Sequence, residues 1–134
     1  MNQKKQENAV DGNETILIVD DEKTLLDIGR DLLKLNKYIP LTAESGERAV
    51  EIYKEKKTEI NLIILDWNMP GIGGHRCLIE LLKIEPELKV IVSSGYASSN
   101  KVREILKAGA IAFIPKPYQF QNMLKKIREL LDKK

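Results

Sequence analysis

Three aspartates, a pair of serines and one lysine stand out because each closes an apolar run. Ile16-Leu17-Ile18-Val19 leads into Asp20, Asp21 and Glu22, and Leu62-Ile63-Ile64-Leu65 leads into Asp66. Val90-Ile91-Val92 leads into Ser93 and Ser94, and Ala112-Phe113-Ile114-Pro115 leads into Lys116. A carboxylate at the edge of an apolar core costs free energy unless a cation or a hydrogen-bond donor meets it. Acids that end separate buried runs therefore suggest one shared acidic pocket. Three carboxylates about 5 Å apart repel one another by ~3 kcal/mol per pair at an effective dielectric of about 20. Lys116 supplies one positive charge, and a divalent metal would supply two more, bringing the sum to zero. Oxygen ligands with no histidine or cysteine beside them favour Mg2+ over zinc, commonly held by one or two carboxylates, waters and a phosphate oxygen. Such a pocket can accept a phosphoryl group, its charge spread over the metal, Lys116 and a serine hydroxyl.

Delivering those side chains to one rim requires strands that run in the same direction. Apolar runs at 15–20, 38–43, 61–66, 88–94 and 110–115 alternate with amphipathic stretches. Four of the runs are β-branched and continuous, which suits parallel strands covered on both faces. The second holds Pro40, which cannot donate to a ladder, and is best placed at a sheet edge. Leu25, Ile28, Leu32 and Leu35 recur at helical spacing, as do Gly46, Ala49, Val50 and Tyr53. Leu78, Leu81 and Leu82 mark a third helix, and Val102, Ile105 and Leu106 a fourth. Phe120, Met123, Leu124, Ile127, Leu130 and Leu131 mark a fifth. The order is β-α repeated five times, which predicts an α/β fold with a doubly wound parallel sheet and helices on both faces. In such a sheet ligands bind outside the carboxyl ends of the strands, where the winding reverses. Residues 1–13 are polar, lack apolar periodicity and read as a flexible lead-in to a single domain over 14–134.

Composition narrows the function classes. The net charge of +2 arises from 22 basic and 20 acidic residues mixed along the chain, not from the basic stripe of a nucleic-acid binder. No apolar run approaches the ~20 residues of a membrane span, and no secretory signal follows the N-terminal charges. A single cysteine, Cys77, excludes an internal disulfide and fits a reducing compartment, so the cytoplasm is the expected location.

The segments VDDE (19–22), LDWNMP (65–70), SSGY (93–96) and FIPKP (113–117) resemble the motifs of two-component response-regulator receiver domains. The likeness spans roughly residues 14–134, with the four motifs in the right order. It implies a flavodoxin-like, five-stranded parallel sheet of strand order 2-1-3-4-5 with five helices. By the same resemblance Asp66 matches the phosphoacceptor, phosphorylated from the phosphohistidine of a histidine kinase or phosphotransfer domain in a Mg2+-dependent reaction. Asp21 matches the direct Mg2+ ligand and Asp20 the acid acting largely through water. Asp66 and the backbone carbonyl of Asn68 complete the metal set. Ser94 matches the hydroxyl that bonds the phosphoryl group, and Lys116 the lysine that pairs with it ahead of a cis Lys116–Pro117 bond. Phe113 aligns with the aromatic that follows the hydroxyl, carrying the signal to a downstream effector on the face of helix four, strand five and helix five. Ser94 stands where threonine is commoner, and Gly73 where many relatives have an acid. Asn68 and Tyr96 occupy positions that tune the lifetime of the aspartyl phosphate, and a bulky Tyr96 predicts slow self-dephosphorylation, of minutes or longer.

Plainer roles stand beside these. Asp20 could cap the first helix, although three acids at once exceed a capping need. Glu22 suits a first helical turn, where the dipole favours an acid. His75 reads as a surface residue and Cys77 as a small helix-face residue; Trp67 could be loop packing, and its place next to Asp66 makes it a reporter of metal binding. An aspartate-nucleophile phosphatase is the alternative enzyme, but such enzymes place a second acid two residues after the nucleophile, and Asn68 stands there. A flavin mononucleotide site would need a Ser-, Thr- and Gly-rich first loop in place of Asp20, Asp21 and Glu22. The sequence thus predicts a phosphorylatable switch rather than a turnover enzyme. A stand-alone regulator, a relay intermediate and a hybrid-kinase module all fit it.

Overall fold

A computed structural model describes residues 10–95 and 97–133. The strands are β1 (Thr15–Val19), β2 (Ile39–Ala43), β3 (Ile60–Asp66), β4 (Val90–Ser94) and β5 (Ala112–Pro115). The helices that follow them are α1 (Lys23–Leu35), α2 (Gly46–Lys56), α3 (Gly73–Ile84), α4 (Ser99–Lys107) and α5 (Phe120–Asp132). All four strand pairings are parallel, and the order across the sheet is β2-β1-β3-β4-β5, as the resemblance implied.

The continuous apolar runs bury both faces of the sheet. Leu17, Val19, Ile63, Leu65, Val90 and Val92 point to one side, against buried residues of α2, α3 and α4 such as Tyr53, Leu78 and Ile105. Ile16, Ile18, Leu62, Ile64 and Ile91 point to the other, against Leu26 and Leu33 of α1 and Met123, Leu124 and Ile127 of α5. This period-two partition fixes register, because a slip of one residue would exchange the two faces. β2, with Pro40, lies at one edge, and β5 lies at the other. Pro115 ends β5 without an N–H, and the Lys116 N–H donates to Ser94 O instead (2.9 Å).

Helix α1 differs from the expectation in phase, though not in period. Its buried residues are Leu26, Gly29 and Leu33. The predicted inward residues Leu25, Ile28 and Leu35 are 39%, 49% and 74% exposed. The cause is Gly29, where an added Cβ would lie 2.9 Å from Ile18 Cδ1. The bare glycine lets the helix press on the sheet there, so the leucine-rich stripe is turned toward solvent. In α4, only Ile105 of the predicted stripe is buried, and Leu106 is 44% exposed.

Of the lead-in expected over 1–13, residues 1–9 lie outside the described residues. Residues 10–13 are docked: Val10 is buried, and its carbonyl accepts the Tyr38 hydroxyl (2.9 Å). Gly12 N–H donates to Asn36 O (3.0 Å), and the Arg128 guanidinium donates to Asp11 O (3.3 Å).

Candidate functional site

The winding reverses between β1 and β3, and both strands run out into acids at that point. Asp20 is buried immediately after β1, held by its N–H donating to Ala43 O (3.1 Å). Its carboxylate accepts the Glu22 N–H at 3.0 Å and the Lys116 ammonium at 2.9 Å. Asp20 therefore does not cap α1: the cap position is Glu22, without a side-chain bond. Asp66, the last residue of β3, is also buried. It accepts the Asn68 N–H (3.3 Å) and lies 3.5 Å from the Lys116 Nζ. Asp21 is exposed at the mouth. Carboxylate oxygens of Asp20, Asp21 and Asp66 all fall within 4.8 Å of one another.

Burial pushes the Asp66 carboxyl up to about 6, and the negative charge of Asp20 pushes in the same direction, against the pull of Lys116. For Lys116, burial favours the neutral amine, but the hydrogen bond to Asp20 and the charge of Asp66 outweigh it, and its pKa lies above the ordinary lysine value. When all three acids are ionised, one lysine leaves two net negative charges. That deficit and an all-oxygen donor set suit a hard divalent cation such as Mg2+.

Ser94 ends β4, buried, and its Oγ accepts a hydrogen bond from the Asn68 side-chain amide (2.8 Å). Phe113 on β5 is partly buried against the α2–α3–α4 side of the core. The Lys116–Pro117 peptide is cis. Tyr96 lies outside the described residues. The β3–α3 loop is shaped by glycine, with Gly71 at φ 80° and Gly73 at φ 77°. At Gly74 a Cβ would sit 2.5 Å from the Trp67 Cα, so the start of α3 presses directly on the backbone beside Asp66. A cavity of about 440 Å3 opens from Asp66 between α1 and the start of α5, with Leu25, Ile28, Tyr118 and Phe120 in its walls.

The sequence model of the response regulator receiver domain matches residues 16–128. The chain belongs to this family. The sensor kinase CckA of Brucella abortus is 34% identical over 133 residues, which is 98% of this chain and 14% of the kinase. The chemotaxis protein CheY of Thermotoga maritima is 34% identical over 116 residues, 86% of this chain and 95% of that protein. The solved CheX–CheY–BeF3–Mg2+ complex of Borrelia burgdorferi contains a chain that superposes with a TM-score of 0.85 at 29% identity, covering 90% of each. This receiver domain is thus a CheY-like phosphoacceptor module of two-component signalling. Among its described residues no helix is long and apolar enough to cross a membrane.

The receiver fold brings Asp20, Asp21, Asp66, Ser94 and Lys116 to one rim, while Phe113 stands behind Ser94's strand. Sequence reasoning missed three contacts. His75 is exposed, as expected of a surface residue, and it also stacks on Trp67 with ring centroids 5.2 Å apart. The tight seat of Gly74 and the Asn68–Ser94 bond were the others. The double glycine Gly73-Gly74 was the one signal that could have marked the loop.

Proposed function

We propose that Asp66 is the phosphoacceptor and that Asp20, Asp21, Asp66 and the Asn68 carbonyl hold Mg2+. The observation that carries this reading is the Lys116 ammonium set between the Asp20 and Asp66 carboxylates, with Asp21 at the open side. An ionised Asp66 oxygen attacks the phosphorus of a phosphohistidine, the P–N bond breaks, and its electron pair leaves with the imidazole. With a value near 6, Asp66 is mostly ionised at neutral pH and ready to attack. Bound Mg2+ would supply neutralisation of the charge on the transferring group. Lys116 pairs with a phosphoryl oxygen, and Ser94 turns its hydroxyl toward another. Phe113 then follows, changing the α4–β5–α5 face, where Leu106 and Ile111 present apolar side chains to an effector. Leu25 and Ile28 of α1 with Phe120 form an apolar rim over the acid pocket, suited to the helix of a histidine-bearing donor.

The test is a titration with Mg2+ followed by beryllofluoride, read by Trp67 fluorescence, with Asp66→Asn as control. Saturable responses to both in the wild type, with the beryllofluoride response lost in Asp66→Asn, are expected. A wild-type protein silent to both, or a variant that responds to beryllofluoride like the wild type, would remove the assignment.

A further inference from the structure

The side chain of Asn68 is unused by the chemistry above, yet it bonds the loop after β3 to the end of β4. Its amide donates to Ser94 Oγ at 2.8 Å, while its backbone N–H donates to the Asp66 carboxylate. Asn68 thus ties the acceptor loop to the hydroxyl that must later reorient. We infer that Asn68 is a positioning residue that latches Ser94 in the unphosphorylated state, so that activation has to break this bond before Ser94 reaches the phosphoryl group. The inference rests on the assignment of Asp66 as acceptor and Ser94 as the responding hydroxyl.

The energetics give the latch a sign. A bond present only in the resting state stabilises that state and weakens binding of anything that selects the activated one. Removing the amide therefore tightens the binding of a phosphoryl mimic. A neutral side-chain hydrogen bond of ordinary strength corresponds to about a three- to tenfold change in such an equilibrium. A structural role alone would predict the opposite, a looser site with weaker binding.

Four proteins make the test: wild type, Asn68→Ala, Ser94→Ala and the double variant. Beryllofluoride affinity is measured at saturating Mg2+ through Trp67 fluorescence, with thermal unfolding of each variant as a folding check. Asn68 is itself exposed between half-buried Trp67 and buried Met69, and the substitution leaves its backbone carbonyl in place. The latch predicts that Asn68→Ala binds beryllofluoride about three- to tenfold more tightly than wild type. It also predicts no further effect of Asn68→Ala in the Ser94→Ala background, where there is no hydroxyl to hold. Unchanged or weaker binding in Asn68→Ala, or an equal gain in both backgrounds, overturns the latch while leaving the acceptor assignment standing. A wild-type protein that ignores Mg2+ and beryllofluoride overturns both.

Discussion

Asp66 is buried at a strand end beside a second carboxylate, and Lys116 offsets only part of the cost. The folded-state value near 6 exceeds the ordinary 3.8, so folding favours the neutral acid. Below the ordinary value the acid is protonated in both states and costs nothing. As pH rises through the interval up to about 6, the unfolded chain ionises first and the folded state loses stability. Above that the penalty is constant, at most about 3 kcal/mol at 1.36 kcal/mol per pKa unit. Asp66→Asn should therefore stabilise the metal-free protein by about 2–3 kcal/mol near pH 8, and by much less near pH 4. Urea unfolding in a chelator at the two pH values measures this. Adding Mg2+ should narrow the gap by stabilising the wild type more than the variant, which lacks one of the proposed carboxylate ligands. A gain that does not change with pH would assign the effect to something other than the buried charge.

At the scale of elements, loop and helix placements decide how the acids are presented. The β3–α3 loop has no room for a side chain at Gly74, because the nearest atoms are backbone of Asp66 and Trp67 and cannot rotate away. Gly74→Ala should cost about 1–3 kcal/mol by overpacking, and it should also weaken Mg2+ binding because Asn68 lies on the displaced loop. Chemical denaturation and Mg2+ titration read the two effects separately, and a loss of stability with unaltered Mg2+ affinity would uncouple loop from site. Helix α1 teaches how far the sequence could be read. Continuous apolar runs revealed four strands and their polar ends, because strand burial is written in consecutive side chains, and the weaker run around Pro40 was placed at the edge by the proline. The orientation of α1 was hidden because Gly29, which packs on Ile18, has no side chain to count as apolar. Ile28 is half-exposed beside the acid pocket as a result. Ile28→Gln should leave stability within about 0.5 kcal/mol of wild type. It should slow phosphotransfer from a protein donor about tenfold, the effect of losing one apolar interface anchor. Its beryllofluoride titration should be unaltered, and an unaltered transfer rate would remove α1 from the docking surface.

Across the whole molecule, the two ends of the sheet carry opposite electrostatic designs. The carboxyl ends of the strands gather acids that repel, a local conflict of the kind that marks functional sites. The far end, where β1 begins, is closed by a fully matched network around Arg128. Its guanidinium donates to Glu14 at 3.0 and 2.7 Å, to the Tyr38 hydroxyl at 3.2 Å and to Asp132 at 2.9 Å. These partners join the segment before β1, the residue before β2 and the end of α5, a convergence no local sequence pattern could reveal because Arg128 and Glu14 are 114 positions apart. The hydrogen bond from Arg128 holds the Glu14 carboxyl down at about 2, against an ordinary 4.5. A depressed folded-state value means that the stabilisation is complete above the ordinary one and is lost as pH falls through the interval toward about 2. The full linkage, at 1.36 kcal/mol per unit, would be about 3 kcal/mol, and solvent screening of this partly exposed pair reduces it to about 1–2 kcal/mol. Glu14→Gln should accordingly destabilise the protein by about that amount near neutral pH, and the difference from wild type should begin to shrink below pH 4.5 and approach zero near pH 2. Urea unfolding of both proteins over descending pH provides the comparison. A difference that stays level through the acid range would mean that Glu14 acts through packing, and that the charge on Arg128 does not bind the chain's entry to α5.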